Sequence, residues 1–163
     1  MAQQNDTLER IFYHGGDAPK PATNANDYRL YSHNLCPFSA RCRYTLSAKG
    51  VPFQECMVNL DNKPQWHLDF NGGAAPFLET PAGDLIPESG IIMQLALESN
   101  PAGGVQLIPS DPVEAAKMRV KMDKFGKTLK TLFGVMLSRG QDAEKINTYL
   151  METLPIYEQM ATE

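Results

Sequence analysis

The hydrophobic and polar residues between positions 28 and 99 follow two different periods. Apolar and aromatic runs of strand length occur at residues 28–31, 53–60, 77–79 and 84–86. Patterns typical of helices occur at residues 37–49, 64–70 and 89–98. The segment Pro81-Ala82-Gly83 separates the last two strands and predicts a hairpin turn. The predicted order of elements is therefore β-α-β-α-β-β-α.

From Asp111 onward the pattern becomes purely helical. Asp111 is suited to cap a helix, Pro112 to open it, and Glu114 stands at the capping-box position. Apolar residues then repeat at helical spacing at Phe125, Leu129, Leu132, Phe133 and Met136. A second helix is predicted from Asp142, and Pro155 is expected to kink it or to end it.

These patterns divide the chain into an α/β part and an all-α part. Residues 1–27 are rich in Asn, Gln, Asp, Gly and Pro and are predicted to be a loosely ordered lead-in. The segment Pro101-Ala102-Gly103-Gly104 marks the break between the two parts. The predicted segments after the lead-in are an α/β domain at 28–99, a linker at 100–111 and a partial helical domain at 112–163.

Composition excludes several classes of protein. Of the 163 residues, 42% are hydrophobic and 21% are charged, as in ordinary globular proteins. A net charge of −4 provides no basic surface, so nucleic acid is not an expected partner. The sequence has neither the apolar core of a signal peptide in residues 1–10 nor an apolar run long enough to span a membrane. Three cysteines do not make a secreted disulfide framework, so we expect a soluble protein of the cytoplasm.

No metal site is expected from the sequence. The three histidines are His14, His33 and His67, and they are scattered along the chain. They form no pair one helical turn apart and no cluster with cysteine, which are the spacings typical of metal ligands.

Cys36 is the strongest candidate for chemistry. It stands between the first predicted strand and the first predicted helix, and Pro37 is well tolerated at the first helical position. A sulfur at the start of a helix lies at the positive end of the helix dipole, which favours the thiolate, the nucleophilic form. The alternative interpretation is a small buried hydrophobic residue, since free cysteines are often buried.

Ser39 narrows the chemistry that Cys36 can perform. It stands where an oxidoreductase of the Cys-x-x-Cys type would carry its second cysteine. An oxidised Cys36 would therefore need a thiol from outside the motif, and glutathione is the natural cytosolic candidate. Cys42 is expected to point away from the junction, and Cys56 is interpreted as a packing residue.

Four separated motifs resemble those of omega-class glutathione transferases, in the same order and with similar spacing. The resemblance covers about residues 28–137. The motifs are Cys36-Pro37-Phe38-Ser39-Ala40-Arg41, Asn59-Leu60-Asp61-Asn62-Lys63-Pro64-Gln65-Trp66, Ala75-Pro76-Phe77-Leu78-Glu79 and Pro87-Glu88-Ser89.

The resemblance implies a fold, a co-substrate and a set of site residues. The fold would be a thioredoxin-like N-terminal domain followed by the start of an all-helical domain. Cys36 would be the catalytic thiol that forms a mixed disulfide with glutathione, the co-substrate. The residues implied in glutathione binding are Phe38, Lys63 (glycine carboxylate), Ala75 (cysteinyl backbone), Pro76 (a cis-proline), and Glu88 and Ser89 (γ-glutamyl end).

The resemblance implies a glutathione-dependent thiol transferase or dehydroascorbate reductase. Its other partner would be a small-molecule or protein thiol or disulfide, and a homodimer is a further expectation. The first alternative is a non-enzymatic redox or interaction module, because Cys36-Pro37-Phe38-Ser39 and Ala75-Pro76-Phe77-Leu78 also resemble chloride intracellular channel proteins. The second is a conjugating transferase that uses the hydroxyl of Tyr31 or Ser32.

Three departures from the family pattern stand out. Relatives usually have a larger apolar residue at Ala75 and a longer segment at Asn71-Gly72-Gly73. Relatives also continue through further helices beyond the position of Glu163. A fragment, a truncated isoform and a naturally short member are all compatible with the sequence.

Overall fold

The computed structural model describes residues 10–13, 15–99 and 104–162. The chain forms two compact units that divide between Leu107 and Ile108, inside the predicted linker. Most of the predicted break, residues 101–103, lies outside the described residues.

The first unit contains a mixed five-stranded sheet and three helices. The strands are β1 (Arg10–Tyr13), β2 (Tyr28–Ser32), β3 (Phe53–Val58), β4 (Phe77–Glu79) and β5 (Leu85–Pro87). The helices are α1 (Pro37–Ala48), α2 (Gln65–Asn71) and α3 (Ser89–Ser99). The strand order is β1-β3-β2-β4-β5, with β1 and β2 parallel to β3, β4 antiparallel to β2, and β5 antiparallel to β4. From β2 onward this is the predicted β-α-β-α-β-β-α order of a thioredoxin-like domain.

Strand β1 corrects the prediction for part of the lead-in. It pairs with β3 along its whole length, with Arg10 opposite Glu55 and Tyr13 opposite Val58. A four-residue strand at a sheet edge is stabilised mainly by this backbone pairing, which leaves little signal in the sequence. Lys20 and Thr23 are also held in place, since both contact the buried carboxylate of Glu79. This part of the predicted loosely ordered lead-in is therefore structured.

The two faces of the sheet bury different helices, because neighbouring strand residues point to opposite sides. Leu30 packs with residues of α1 and α3, in a cluster completed by Cys42, Leu46, Val51, Leu78, Ile92 and Ala96. Tyr31 packs on the other face with Cys56, Val58 and Phe77, against Trp66 and Phe70 of α2. Since β2 and β3 are parallel, the loops that follow them lie at the same end of the sheet, beyond the carboxyl ends of these strands. Cys36 and Lys63 lie in these two loops.

The second unit is helical. Helix α4 (Pro112–Leu137) is capped as predicted, because Asp111 accepts hydrogen bonds from the amides of Val113 and Glu114 at 3.0 and 2.9 Å. Helix α5 (Ala143–Thr148) is capped by Asp142, which accepts a hydrogen bond from the amide of Lys145 at 3.0 Å. No helix within the described ranges is long and apolar enough to cross a membrane.

Pro155 does not end the second predicted helix. Helix α5 continues into a π-helix at Tyr149–Thr153 and then into α6 (Leu154–Thr162), so Pro155 lies in the first turn of α6. Proline has no N–H to donate to the carbonyl of Met151, and a wider turn just before it accommodates that missing hydrogen bond.

Candidate active site

Cys36 is the N-cap residue of α1, with φ −88° and ψ 113°, and Pro37 opens the helix. Its backbone N–H donates to the carbonyl of His33 at 3.1 Å, which closes a tight turn after β2. The side chain is only 4% exposed, and its Sγ lies 3.5 Å from the carbonyl oxygen of Ala75. The thiol therefore sits at the positive end of the α1 dipole and against the loop that leads into β4.

Ser39 has a structural role as well as taking the place of a second cysteine. It is fully buried, and its hydroxyl accepts a hydrogen bond from the backbone N–H of His33 at 3.3 Å. This contact ties the start of the turn to the first turn of α1. A thiol at position 39 would lie on the same helix face as Cys36.

The other two cysteines are packing residues, which was the prediction for Cys56. Cys42 and Cys56 are both fully buried, one on each face of the sheet. Burial raises the pKa of each thiol to about 12, so both remain protonated at neutral pH. Cys42 donates to the carbonyl of Ser89 at 3.4 Å, which links α1 to the start of α3.

The loop beneath Cys36 contains a cis peptide bond between Ala75 and Pro76. His67 of α2 holds the loop from the other side, with its Nε2 at 2.8 Å from the carbonyl oxygen of Ala74. Because a carbonyl only accepts, Nε2 carries the proton. Burial, together with the charge of Lys63, lowers the pKa of His67 against the opposing effect of the Ala74 hydrogen bond. The ring is therefore neutral, and it fixes the backbone next to Ala75.

Lys63 lies against the same loop. Gly73 has a positive φ of 71°, and a Cβ there would stand 2.4 Å from Cδ of Lys63 and 3.1 Å from its Nζ. Glycine is thus needed both for the backbone conformation and for the approach of the lysine. The structure brings Cys36 and Lys63 to opposite ends of one short segment, Gly73 to Pro76.

Glu88 and Ser89 form the junction between β5 and α3. Glu88 has a φ of 67°, a left-handed conformation that is unusual for a residue with a side chain and clusters at functional sites. Its carbonyl accepts hydrogen bonds from the amides of Ile91 and Ile92, at 2.9 and 3.0 Å, so its backbone begins the helix. Ser89 is therefore the first helical residue and not the N-cap. Glu88 is exposed, whereas Ser89 is 5% exposed.

Ser89 is held by Arg41 of α1, a residue to which the sequence pattern assigned no role. Nε of Arg41 lies 3.0 Å from Oγ of Ser89, and Nη2 donates to the same oxygen. The guanidinium also lies over the ring of Phe38, 5.1 Å from its centre. Phe38, Arg41, Glu88 and Ser89 therefore form one group, which α1 connects to Cys36.

The two hydroxyls considered for a conjugating mechanism face the interior. Tyr31 and Ser32 are both fully buried. The phenol of Tyr31 donates to Glu79 at 3.0 Å, and burial raises its pKa well above the usual value. Ser32 donates to Glu55 at 2.6 Å. Both hydroxyls are thus engaged by buried carboxylates.

Sequence reasoning missed three residues of this region: Arg41, His67 and Gly73. Arg41 stands within the quoted Cys36 motif, but nothing in a single sequence shows that it reaches α3. The aromatic and histidine residues of α2 predict burial, but not the contact with Ala74. Gly73 stands out in the sequence only as part of the Asn71-Gly72-Gly73 departure, whereas its φ and the position of Lys63 explain why glycine is needed.

Comparisons with known proteins show which family and which fold this chain resembles. The sequence-family model for the glutathione S-transferase N-terminal domain matches residues 30–104 of this chain. Glutathione S-transferase omega-1 of Sus scrofa is 37% identical over 113 residues, which are 69% of this chain and 46% of that protein. Glutathione S-transferase omega-2 of Mus musculus is 31% identical over 150 residues, 90% of this chain and 59% of that protein.

Solved structures give the same result for the fold. Glutathione transferase Omega 3C from Trametes versicolor has 29% identity and a TM-score of 0.67, over 86% of this chain and 60% of that one. A glutathione transferase homologue from Sulfitobacter, solved with bound glutathione, has 22% identity and a TM-score of 0.60, over 83% of this chain and 66% of that one. The second likeness concerns the fold alone.

The chain spans about half the length of the curated relatives that it matches, 46% in the case of the Sus scrofa protein. Within that span, the domain match, the omega-class relatives and the shared fold all agree. Residues 30–104 belong to the glutathione S-transferase N-terminal domain family, and the relatives named here are omega-class glutathione transferases.

Proposed function

We propose that this protein is a glutathione-dependent thiol transferase that acts through Cys36. The position of this thiol carries the proposal: it lies at the start of α1 and 3.5 Å from the carbonyl of Ala75, beside Pro76. Cysteine thiolates are favoured at helix starts. The raised pKa values of Cys42 and Cys56 keep those thiols protonated at neutral pH, which leaves Cys36 as the candidate nucleophile.

The surrounding residues have charges that suit glutathione, which carries two carboxylates and one ammonium group. Lys63 would bind the glycine carboxylate, and the backbone of Ala75 would pair with the cysteinyl residue. Glu88 would bind the ammonium group of the γ-glutamyl end, while Ser89 would donate to its carboxylate. Phe38 and Pro76 would shape the walls between these groups. The contacts of Lys63 and Cys36 with the two ends of one segment support this arrangement.

The proposed reaction transfers a glutathionyl group in two exchanges. The Cys36 thiolate attacks the glutathione sulfur of a mixed disulfide, a new Cys36–glutathione disulfide forms, and the acceptor leaves as a thiolate that takes up a proton. The thiolate of a second glutathione then attacks that disulfide and releases oxidised glutathione and the Cys36 thiolate. The net reaction converts one glutathionyl mixed disulfide and one glutathione thiol into the free acceptor thiol and one molecule of oxidised glutathione.

Dehydroascorbate reduction would use the same intermediate. Cys36 adds to a carbonyl carbon of dehydroascorbate, and glutathione attacks the Cys36 sulfur, so that the carbon–sulfur bond breaks and ascorbate leaves. Cys36 is then joined to glutathione, and a second glutathione regenerates it. Both reactions need reduced glutathione, which is consistent with a cytoplasmic protein.

Two other functions make different predictions. A non-enzymatic redox or interaction module on the same scaffold would bind glutathione at Cys36 without turnover. A conjugating transferase would need a hydroxyl at the glutathione sulfur, and the burial of Tyr31 and Ser32 disfavours both candidates.

The decisive experiment measures two reactions on wild type and Cys36→Ser under identical conditions. We expect wild type to reduce a glutathionyl mixed disulfide or dehydroascorbate and to conjugate a chlorodinitrobenzene substrate poorly. Cys36→Ser should lose the reduction and gain conjugation, because a hydroxyl can hydrogen-bond a glutathione thiolate but forms no disulfide.

Strong conjugation by wild type that survives the loss of Cys36 would overturn the proposal. Glutathione binding without either activity would favour the interaction module.

A further inference from the structure

Arg41 and Ser89 form a polar contact that the proposed reaction does not itself require. Arg41 reaches from α1 to the first residue of α3 and directs both Nε and Nη2 at Oγ of Ser89, the first of them at 3.0 Å. The ring of Phe38 supports the guanidinium from below. The arginine is therefore held in one orientation by a ring on its face and a hydroxyl at its edge.

This contact determines what the Ser89 hydroxyl can do. A hydroxyl oxygen has two lone pairs and one proton, and an arginine side chain can only donate hydrogen bonds. Because two N–H groups of Arg41 are directed at this oxygen, the hydroxyl of Ser89 accepts from Arg41 and keeps its proton for a ligand. Arg41 thus makes Ser89 a donor, and adds a positive charge directly behind it.

The start of α3 points its first amides in a direction that also suits an anion. Glu88 precedes Ser89, is exposed, and adopts a left-handed conformation that turns the chain at this point. Arg41 and Ser89 thus offer a cation and a hydrogen-bond donor to a carboxylate, and the neighbouring Glu88 offers an anion to an ammonium group. Together they complement the head group of a free α-amino acid.

We propose that Arg41 is a positioning residue that orients Ser89 and selects ligands whose first residue has a free α-carboxylate. This inference rests on the proposed function. In glutathione the first residue is linked through its side chain, so both its α-carboxylate and its ammonium group are free. An ordinary peptide bond would remove that carboxylate, so Arg41 would distinguish γ-linked from normal peptides.

The test compares ligands as well as variants. The ligands are glutathione, 4-aminobutanoyl-Cys-Gly, which lacks only the α-carboxylate, and glutaryl-Cys-Gly, which lacks only the ammonium group. The proteins are wild type, Arg41→Met, which keeps the apolar stem, Arg41→Lys, which keeps the charge without the fork, and Arg119→Met, an exposed arginine of α4, as a matched control. Calorimetry gives the dissociation constants, and thermal unfolding shows that each variant folds.

We expect wild type and Arg119→Met to bind glutathione at least about tenfold more tightly than the 4-aminobutanoyl peptide, the scale of a charged hydrogen bond. Arg41→Met should show a clearly smaller preference, because it weakens the binding of glutathione, which has the carboxylate, and leaves the binding of the 4-aminobutanoyl peptide unchanged. Arg41→Lys should fall between these limits. All variants should retain the preference for glutathione over the glutaryl peptide, which Glu88 provides.

If Arg41 had a merely structural role, its substitution would weaken the binding of all three ligands by the same factor, and that result would overturn the inference. Wild-type discrimination in Arg41→Met would also overturn it, while leaving the proposed function intact if glutathione still binds. Absence of glutathione binding to wild type would reject the proposed function and this inference together.

Discussion

The thiol of Cys36 and the carbonyl oxygen of Ala75 lie 3.5 Å apart, although 39 residues separate them in the sequence. The contact joins the start of α1 to the loop with the cis peptide bond before β4. It places the candidate nucleophile beside a backbone that has its own polar groups to offer a peptide ligand. A glutathione sulfur bound to Cys36 would therefore lie next to the Ala75 backbone.

The first prediction concerns which thiol reacts. Incubation with oxidised glutathione should add one glutathionyl group, on Cys36, because burial keeps Cys42 and Cys56 protonated and shielded. Peptide mapping by mass spectrometry checks the position. Cys36→Ala should abolish the adduct, whereas Cys56→Ala should retain it. An adduct mainly on Cys42 or Cys56 would contradict the mechanism.

The second prediction concerns the two charged ends of the proposed glutathione site. Lys63→Ala and Glu88→Ala should each weaken glutathione binding by about 1.5–3 kcal/mol, as expected for charged hydrogen bonds. Lys130→Ala removes an exposed lysine from α4 and serves as the matched control. Calorimetry measures all three. Wild-type affinity in both site variants would show that these residues do not bind the ligand.

The third prediction tests the role of Ser39. Ser39→Cys places a second thiol one helical turn from Cys36, so oxidation should give an internal disulfide and little glutathione adduct. Intact mass distinguishes the two products. Ser39→Ala is the control, because it loses the same hydrogen bond to His33 but adds no thiol. A persistent adduct on the Ser39→Cys variant, with no internal disulfide, would be the contrary result.

The fourth prediction follows from the lowered pKa of His67. The unfolded chain takes up a proton near pH 6.5, whereas the folded ring stays neutral to lower pH. The contribution of this group to stability is therefore complete above pH 6.5 and is lost as the pH falls from 6.5 toward the folded pKa. The slope should reach up to about 1.4 kcal/mol per pH unit.

Urea unfolding at several pH values between 5 and 8 measures this effect. His67→Gln can still donate to the carbonyl of Ala74 but does not titrate, so its stability should fall less over the same range. An identical pH dependence in the two proteins would show that His67 does not titrate differently on folding.

The fifth prediction concerns the second unit, whose helices expose large apolar side chains. Those at least half exposed are Val113, Val120, Met136, Leu137, Leu150 and Met151. We expect this surface to bind a hydrophobic dye and to promote self-association. Replacing Leu137 and Met151 by Gln should reduce both effects and change stability by less than about 0.5 kcal/mol per site. Light scattering and dye fluorescence check this, and unchanged values would count against it.

The sequence predicted the elements whose signals are local. Pro37, Asp111 and the turn at Pro81-Ala82-Gly83 each favour a particular backbone conformation within a few residues, and the structure confirms the elements that they delimit. Strand β1 was missed because its stabilisation comes from pairing with β3, some 45 residues away. The contact of Arg41 with Ser89 was missed for the same reason. His67 and Ala74 are only seven residues apart, and their contact depends on how the chain turns after α2.

The roles of individual site residues came from family resemblance. Alone, Lys63 is a lysine before a helix and Ser89 a serine at a helix start, and neither predicts a ligand. The left-handed backbone of Glu88 could not be predicted, because glutamate does not favour that conformation. This conformation can be identified only from the structure of the junction between β5 and α3.

Glu79 has a consequence for how small the α/β part can be made. Its carboxylate is 1% exposed and is compensated by Lys20 and Thr23 from outside the sheet, together with Arg29 and Tyr31 on β2. A shortened domain that begins at Tyr28 would keep every helix and strand from β2 onward. It would lack Lys20 and Thr23, two of the partners of the buried Glu79 carboxylate. Arg29 and Tyr31 would remain, but removing one partner of a buried ion pair is strongly destabilising. The shortest autonomous version of this domain is thus set by an ion pair, and it must begin before Lys20.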